Sequence, residues 1–287
     1  MQMRKPSNGW IEKKLQLPAG FSNNVAQHTG IGNSIIIGDW NRRQVLIYDL
    51  LTNQYTYILN ADKSTRVGVF QNFLKTGTQS GILVLSDRIC KVDLSLSFAE
   101  PFTTAHFPHT MEPEFRNVVK DNNHQLYVRE RNTGIWLINQ TAKRIEPFFS
   151  PNTKGNFSDL FYEGLTQKFW LAQERNGVYV IESNKLTNKH YPLQMEEGGG
   201  ASTINSIVGD GKGKVHLALL DHGLMVVNAG NMQMKKFSQA QGIPTDNVSF
   251  GVVDQHGNYW GTSQSGLYCL HNDKVSNYSY HRIGKQF

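Results

Sequence analysis

The chain has 287 residues, 39% of them hydrophobic and 18% charged, which excludes a disordered chain and leaves room for two ordinary domains or one large all-β domain. Its formal charge of +6 is spread along the sequence without a Lys/Arg block, which argues against nucleic-acid binding and for a solvated basic surface. No run approaches the ~18 apolar residues of a membrane-spanning helix, and the opening MQMRKPSNGW shows no apolar signal-peptide core. In chain order, residues 10–17 come first and read as an outer strand without a blade of its own, either ring-closing or left over. That reading follows because GWIEKKLQLPAGFSNNV (9–25) mirrors MKKFSQAQGIPTDNV (234–248), which leads from an outer strand into the next inner one.

Six copies of one pattern follow. The first two, NSIIIGDWNRRQVLIYDL (33–50) and SGILVLSDRICKVDL (80–94), keep little beyond strand spacing. The third, NVVKDNNHQLYVRERNTGIWLI (117–138), has Asp121 with His124 where a turn glycine would stand, then Gly134-Ile135. The fourth, DLFYEGLTQKFWLAQERNGVYVI (159–181), keeps Trp170 and Gly177-Val178. SIVGDGKGKVHLALLDHGLMVV (206–227) and GVVDQHGNYWGTSQSGLYCL (251–270) carry Asp210-x-x-Gly213 and Asp254-x-x-Gly257. Gly134, Gly177, Gly223 and Gly266 are 43, 46 and 43 residues apart, and a period in the forties is that of propeller blades. The expected fold is therefore an all-β propeller of four-stranded blades. Repeats fall near 23–59, 65–102, 115–149, 157–193, 203–238 and 247–280, giving one domain of six or seven blades over 1–287.

The last copy predicts strands at 247–253, 259–263, 266–271 and 274–280. Asp254 and Gly257 supply the turn chemistry between its first two strands. The glycine opening each third strand predicts close backbone approach or a bulge. Cys90 and Cys269 lie in apolar stretches and read as buried strand thiols. The ten histidines are scattered, and the i, i+3 pair His106 and His109 reads as loop, so neither a metal nor a cofactor is expected.

The run Gly242-Ile243-Pro244, Asn247-Val248, Asp254, Gly257, Trp260, Gly261-Thr262 and Gly266-Leu267 resembles the two-component regulator propeller repeat. The match is good over this copy, fair over three others and poor over the first two. The resemblance implies the extracytoplasmic, periplasmic sensor region of a bacterial hybrid histidine kinase, in a family that often reads carbohydrate breakdown products. The sequence holds no kinase, receiver or DNA-binding segment, so the sensing part alone is implied.

If the strands run from inner to outer, the loops between second and third strands share one face. In order they contribute Asp39, Trp40, Arg42 and Arg43; Asp87 and Arg88; Arg129 and Arg131; Glu174 and Arg175; Asp221 and His222. Arginines and carboxylates repeated at one place would hold an oligosaccharide, an acidic sugar or a peptide by charge-assisted bonds, with Trp40 as a stacking face. The expected function is non-catalytic binding and signal transduction, with a small-molecule ligand, a homodimer as partner state, no nucleic acid and no direct membrane insertion. Two other classes compete with it. A protein-binding scaffold would use the same fold. A propeller glycosidase or lyase would need a carboxylate pair, for which Asp39, Asp87, Glu174 and Asp221 are the sources; the Asp-x-x-Gly spacing differs from the Asp-x-Gly of a sialidase box.

Overall fold

The structure, a computed structural model, describes residues 2–5, 9–12, 15–21, 25–60, 62–103, 112–153, 155–183, 187–193 and 202–279. Side chains are described from residue 15 onward within these ranges, apart from 25–29, 31 and 279. His106 and His109 lie outside the described residues. The chain forms two compact units, Met1–Asn117 and Val118–Phe287.

In the first unit, β1 (Gln2–Lys5) and β2 (Gly9–Glu12) make a two-stranded antiparallel hairpin. Blade 1 is β3 (Val25–Ile31), β4 (Ser34–Asp39), β5 (Gln44–Asp49) and β6 (Tyr55–Tyr57). Blade 2 is β7 (Phe70–Lys75), β8 (Ser80–Leu85), β9 (Ile89–Asp93) and β10 (Phe98–Pro101). Each is an antiparallel sheet with strands in chain order. The two sheets bury Ile36, Val45, Phe70, Phe73, Leu83, Leu85 and Cys90 against one another. Gly38 on β4 makes this approach close, since a Cβ there would collide with the Phe70 side chain. On the other side of blade 1, Leu15, Leu17 and Phe21 pack on Ile35, Ile37, Leu46 and Tyr48. Residues 10–17 thus add no strand to any described four-stranded sheet. Gly9–Glu12 pairs with β1, and the apolar side chains at 15 and 17 cover blade 1 instead.

β11 (Phe115–Lys120) crosses the boundary between units and opens blade 3, which continues with β12 (Leu126–Glu130), β13 (Gly134–Asn139) and β14 (Arg144–Phe149). Blade 4 is β15 (Phe157–Glu163), β16 (Lys168–Gln173), β17 (Gly177–Glu182) and β18 (Asn188–Tyr191). Blade 5 is β19 (Ile204–Gly209), β20 (Lys214–Leu219), β21 (Gly223–Asn228) and β22 (Met234–Phe237). Blade 6 is β23 (Val248–Val253), β24 (Tyr259–Ser263), β25 (Gly266–His271) and β26 (Lys274–Ser279). Trp170 is fully buried between blades 4 and 5 among Val178, Ile204, Leu217 and Leu219. Among the described residues the only helical element is a 3-10 turn, Gln239–Gln241. The fold is all-β, with six four-stranded propeller blades among the described residues.

The glycines that mark the repeat have a common task. Gly134, Gly177 and Gly223 take φ of 113°, 92° and 83°, and a Cβ on each would strike the carbonyl oxygen of Phe149, Tyr191 or Phe237 on the fourth strand. This is the close backbone approach expected from the sequence. Both cysteines are free and buried, and burial pushes the Cys90 thiol up to about 12, so it is an inert core group.

Candidate functional site

Turns at both ends of the blades are closed by acidic or amide side chains that accept backbone N–H groups, a device that satisfies donors no ladder can reach. In the first-to-second-strand turns, Asp121 accepts from the amides of Asn123 and Gln125, and Asp210 from those of Lys212 and Lys214. Asp254 accepts from the amides of His256 and Asn258, the Asn258 side chain and, at 2.9 Å, Trp260 Nε1. The Trp260 bond, followed by those from Asn258 and His256, holds the Asp254 carboxyl well below the usual carboxylate range. The Asp-x-x-Gly-x-x-Trp motif is therefore one self-satisfied turn.

At the opposite end of the strands, the buried polar residue that ends the second strand of blades 1, 3, 4 and 6 does the equivalent work. Asp39 is fully buried and accepts from the Arg42 amide at 3.0 Å. Glu130, also fully buried, accepts from the Asn132 and Thr133 amides and the Thr133 hydroxyl at 2.9, 2.7 and 2.6 Å. Buried Gln173 and Ser263 occupy the same place in blades 4 and 6. Sequence reasoning counted Asp39 as a ligand candidate and passed over Glu130. Their shared place at the end of a second strand was the signal available.

What remains at the turn tips is charged and partly exposed. In the first unit Trp40 is 49% exposed. Arg42 lies over Gly20, where a Cβ would come within 2.8 Å of its Nη2. Arg43, with φ of 55°, places Nη2 3.7 Å from Asp87 Oδ2, and Arg88 Nη2 reaches the same oxygen at 2.8 Å. This bond is the main cause that raises the Arg88 guanidinium above its ordinary value. Gly68 donates its amide to the Arg43 carbonyl at 3.0 Å, and its missing side chain leaves room for Asp87 Oδ1. Asp87 Oδ1 and Arg43 Nε are buried without hydrogen-bond partners.

In the second unit Arg131 Nη2 lies 3.9 Å from Glu174 Oε1, whose other oxygen accepts from Asn156 Nδ2 at 3.2 Å. Arg129 points inward instead, 7% exposed, donating to the Phe157 carbonyl. Arg175 and Asp221 stand at left-handed turn positions and are exposed, and His222 is half-buried. Blades 1 and 2 and blades 3 and 4 thus repeat one arrangement, in which an arginine on one second-to-third-strand turn meets a carboxylate on the next. Ion pairs this exposed contribute about 0–1 kcal/mol to stability, so stability does not account for them. An inner-strand bulge lies at the same end of blades 1, 2, 4, 5 and 6, at Val25/Gln27, Phe70/Asn72, Phe157/Asp159, Ile204/Ser206 and Val248/Gly251. Bulges of this kind re-aim side chains at a rim.

No family model matches the chain, and no curated protein matches it in sequence. Solved structures do. The extracellular domain of BT4673 from B. thetaiotaomicron, assigned to a hybrid two-component system, aligns over 93% of this chain and 34% of its own, with a TM-score of 0.69 at 13% identity. PorZ, an essential surface component of the type-IX secretion system of Porphyromonas gingivalis, aligns over 93% and 41%, with a TM-score of 0.63 at 13% identity. YCF48 from Cyanidioschyzon merolae aligns over 90% and 83%, with a TM-score of 0.65 at 11% identity. The chain spans about a third of the BT4673 domain. These likenesses bear out the fold, and the first is the kind of protein to which the repeat resemblance pointed.

Proposed function

We propose that the chain is the ligand-sensing propeller part of a two-component-type sensor working outside the cytoplasm, and that it binds an oligosaccharide or other small molecule, without catalysis, at the second-to-third-strand turns. The observation that carries this reading is the Trp40, Arg42, Arg43, Asp87 and Arg88 group. It sets the Arg43 and Arg88 guanidinium groups on Asp87, a carboxylate that keeps one buried oxygen without a partner, and carries Arg42 and the exposed Trp40 indole on the same turn as Arg43. Planar, bidentate donors beside a stacking face suit the carboxylate and ring of an acidic sugar. The fold of the BT4673 extracellular domain supports the signalling context. A ligand would transmit a signal only by preferring one arrangement of the receptor, such as one form of a dimer, over another.

The test is a thermal-shift screen against neutral and acidic oligosaccharides, repeated with Arg88→Ala and with Arg131→Ala/Arg175→Ala. A rise of several degrees that one variant abolishes supports the reading and selects the group responsible. A rise that survives all these changes puts the ligand elsewhere. A second reading, a protein-binding scaffold, is favoured by Phe250 and Val252 on β23, which are 67% and 65% exposed. A folded protein that gives no shift with any sugar favours it.

A further inference from the structure

The faces of the blades repeat as regularly as their turns. Ile36, Trp170, His216 and Trp260 hold one place in blades 1, 4, 5 and 6, three residues before the end of the second strand. In blades 1, 4 and 5 that residue belongs to the side of the sheet buried against the next blade. Ile36 and Val45 pack with Phe70 and Phe73, and Trp170 and Val178 with Ile204 and Ile207. His216 stacks on Tyr259 with ring centroids 4.9 Å apart, and Leu224 and Phe237 pack with Tyr259 and Tyr268.

On the same side of blade 6 the side chains are open. Thr262, Leu267 and Tyr278 pair across its strands in the register that Ala218, Leu224 and Phe237 take in blade 5. Tyr278 is 41% exposed where Phe237 is 2% exposed. Val252, in register with Trp260, and Phe250 are more exposed still. The Trp260 and Tyr278 rings lie 5.5 Å apart with planes inclined by 35°. None of these side chains is charged, and charge begins only at the rim, with Asp254, which accepts from Trp260, and Lys274. An aromatic centre with charge confined to its rim is the make-up of a protein interface.

The occupant follows from which surfaces the chain leaves open. Blade packing joins this side of one sheet to the opposite side of the next, and that opposite side is covered throughout. Leu15, Leu17 and Phe21 cover it in blade 1, and the preceding blade covers it in blades 2, 4, 5 and 6. In blade 3, Val128 and Trp136 on that side are buried. A second copy therefore offers no seat for head-to-tail packing, and its one open surface of matching character is its own blade 6 face. We propose that two copies of the chain associate through these faces, laid sheet on sheet about a twofold axis. Such a contact is self-complementary and closes at two copies, and its uncharged centre sets no like charges against each other. Four strands about 4.8 Å apart and about 20 Å long bury on the order of 1,000 Å² in total, the size of a reversible interface. The contact uses none of the residues assigned to the sugar and stands whether or not a sugar binds.

The experiment is sedimentation velocity of the whole chain at concentrations from about 1 to about 300 µM, repeated with Phe250→Asp, Val252→Lys and Arg88→Ala. The proposal predicts a monomer–dimer equilibrium with a Kd on the order of 10 µM. Phe250→Asp and Val252→Lys each weaken it by roughly tenfold or more, because each sets a charge in the uncharged centre, and Arg88→Ala leaves it unchanged. Phe250 and Val252 are exposed, so both variants keep the fold, which unchanged urea midpoints of the dilute monomers verify. A monomer at every concentration overturns the proposal, as does a dimer that either face variant leaves at full strength. Species that grow beyond two copies overturn the twofold contact in favour of a head-to-tail one.

Discussion

The two ends of the blades use the same residue types for different ends. At the first-to-second-strand turns, the carboxylates of Asp121, Asp210 and Asp254 accept their own turn's amides and, in two cases, a side chain from the adjoining strand. At the second-to-third-strand turns that task falls to buried Asp39 and Glu130, and a second set of carboxylates, Asp87 and Glu174, reaches across to an arginine of the neighbouring blade. An acid that closes its own turn is committed to the fold. An acid held in an exposed pair closes no turn. Position in the turn, rather than residue type, decides which role an acid takes.

The sharpest way to break this account is through the backbone that sets the turns. Gly177→Ala forces an alanine to φ of 92° and its Cβ into the Tyr191 carbonyl, which predicts a loss of about 2–3 kcal/mol in urea unfolding. A loss below ~0.5 kcal/mol would show that the third strand tolerates a side chain there.

The next effect is pH-dependent. His216 has a folded-state pKa of about 4, below its ordinary 6.5. The unfolded chain therefore binds the extra proton first, and the stability fully present above pH 6.5 falls as pH drops to about 4, by roughly 3 kcal/mol at most. His216→Phe, which keeps the stacking on Tyr259, is predicted to flatten this slope in urea midpoints measured from pH 7 to 4. Asp254 works in the same sense at lower pH. Its depressed pKa stabilises the fold above the ordinary aspartate range, and that stabilisation is lost as pH falls below it.

The comparison between the two ends is sharpest in a matched pair of variants. Asp254→Ala is predicted to lower Tm by several degrees, because four hydrogen bonds end on that side chain. Asp87→Ala is predicted to move Tm by less than about two degrees. Equal shifts would erase the distinction between acids that close a turn and acids held in exposed pairs.

The fold was readable because the repeat is punctuated by backbone needs that only certain residues meet. The glycines at 134, 177, 223 and 266 gave the period, and the last copy's predicted strands at 259–263 and 266–271 coincide with Tyr259–Ser263 and Gly266–His271. The site was readable only as a set of turns. β12 is buried at every position, so no alternation marks Arg129 as inward and Arg131 as outward. β4 ends in a fully buried Asp39 for the same reason. Nor could sequence show that Arg43 reaches Asp87, since that pairing depends on two sheets packing through Gly38 and Phe70.

The most direct test of the sensing claim is calorimetric titration of the best oligosaccharide from the thermal screen into the wild-type chain, Trp40→Ala and Arg88→Ala. The account predicts saturable binding to the wild type that each substitution weakens by roughly tenfold or more, with their unfolding midpoints unchanged. Binding of equal strength to all three proteins would contradict it and move the ligand away from the second-to-third-strand turns.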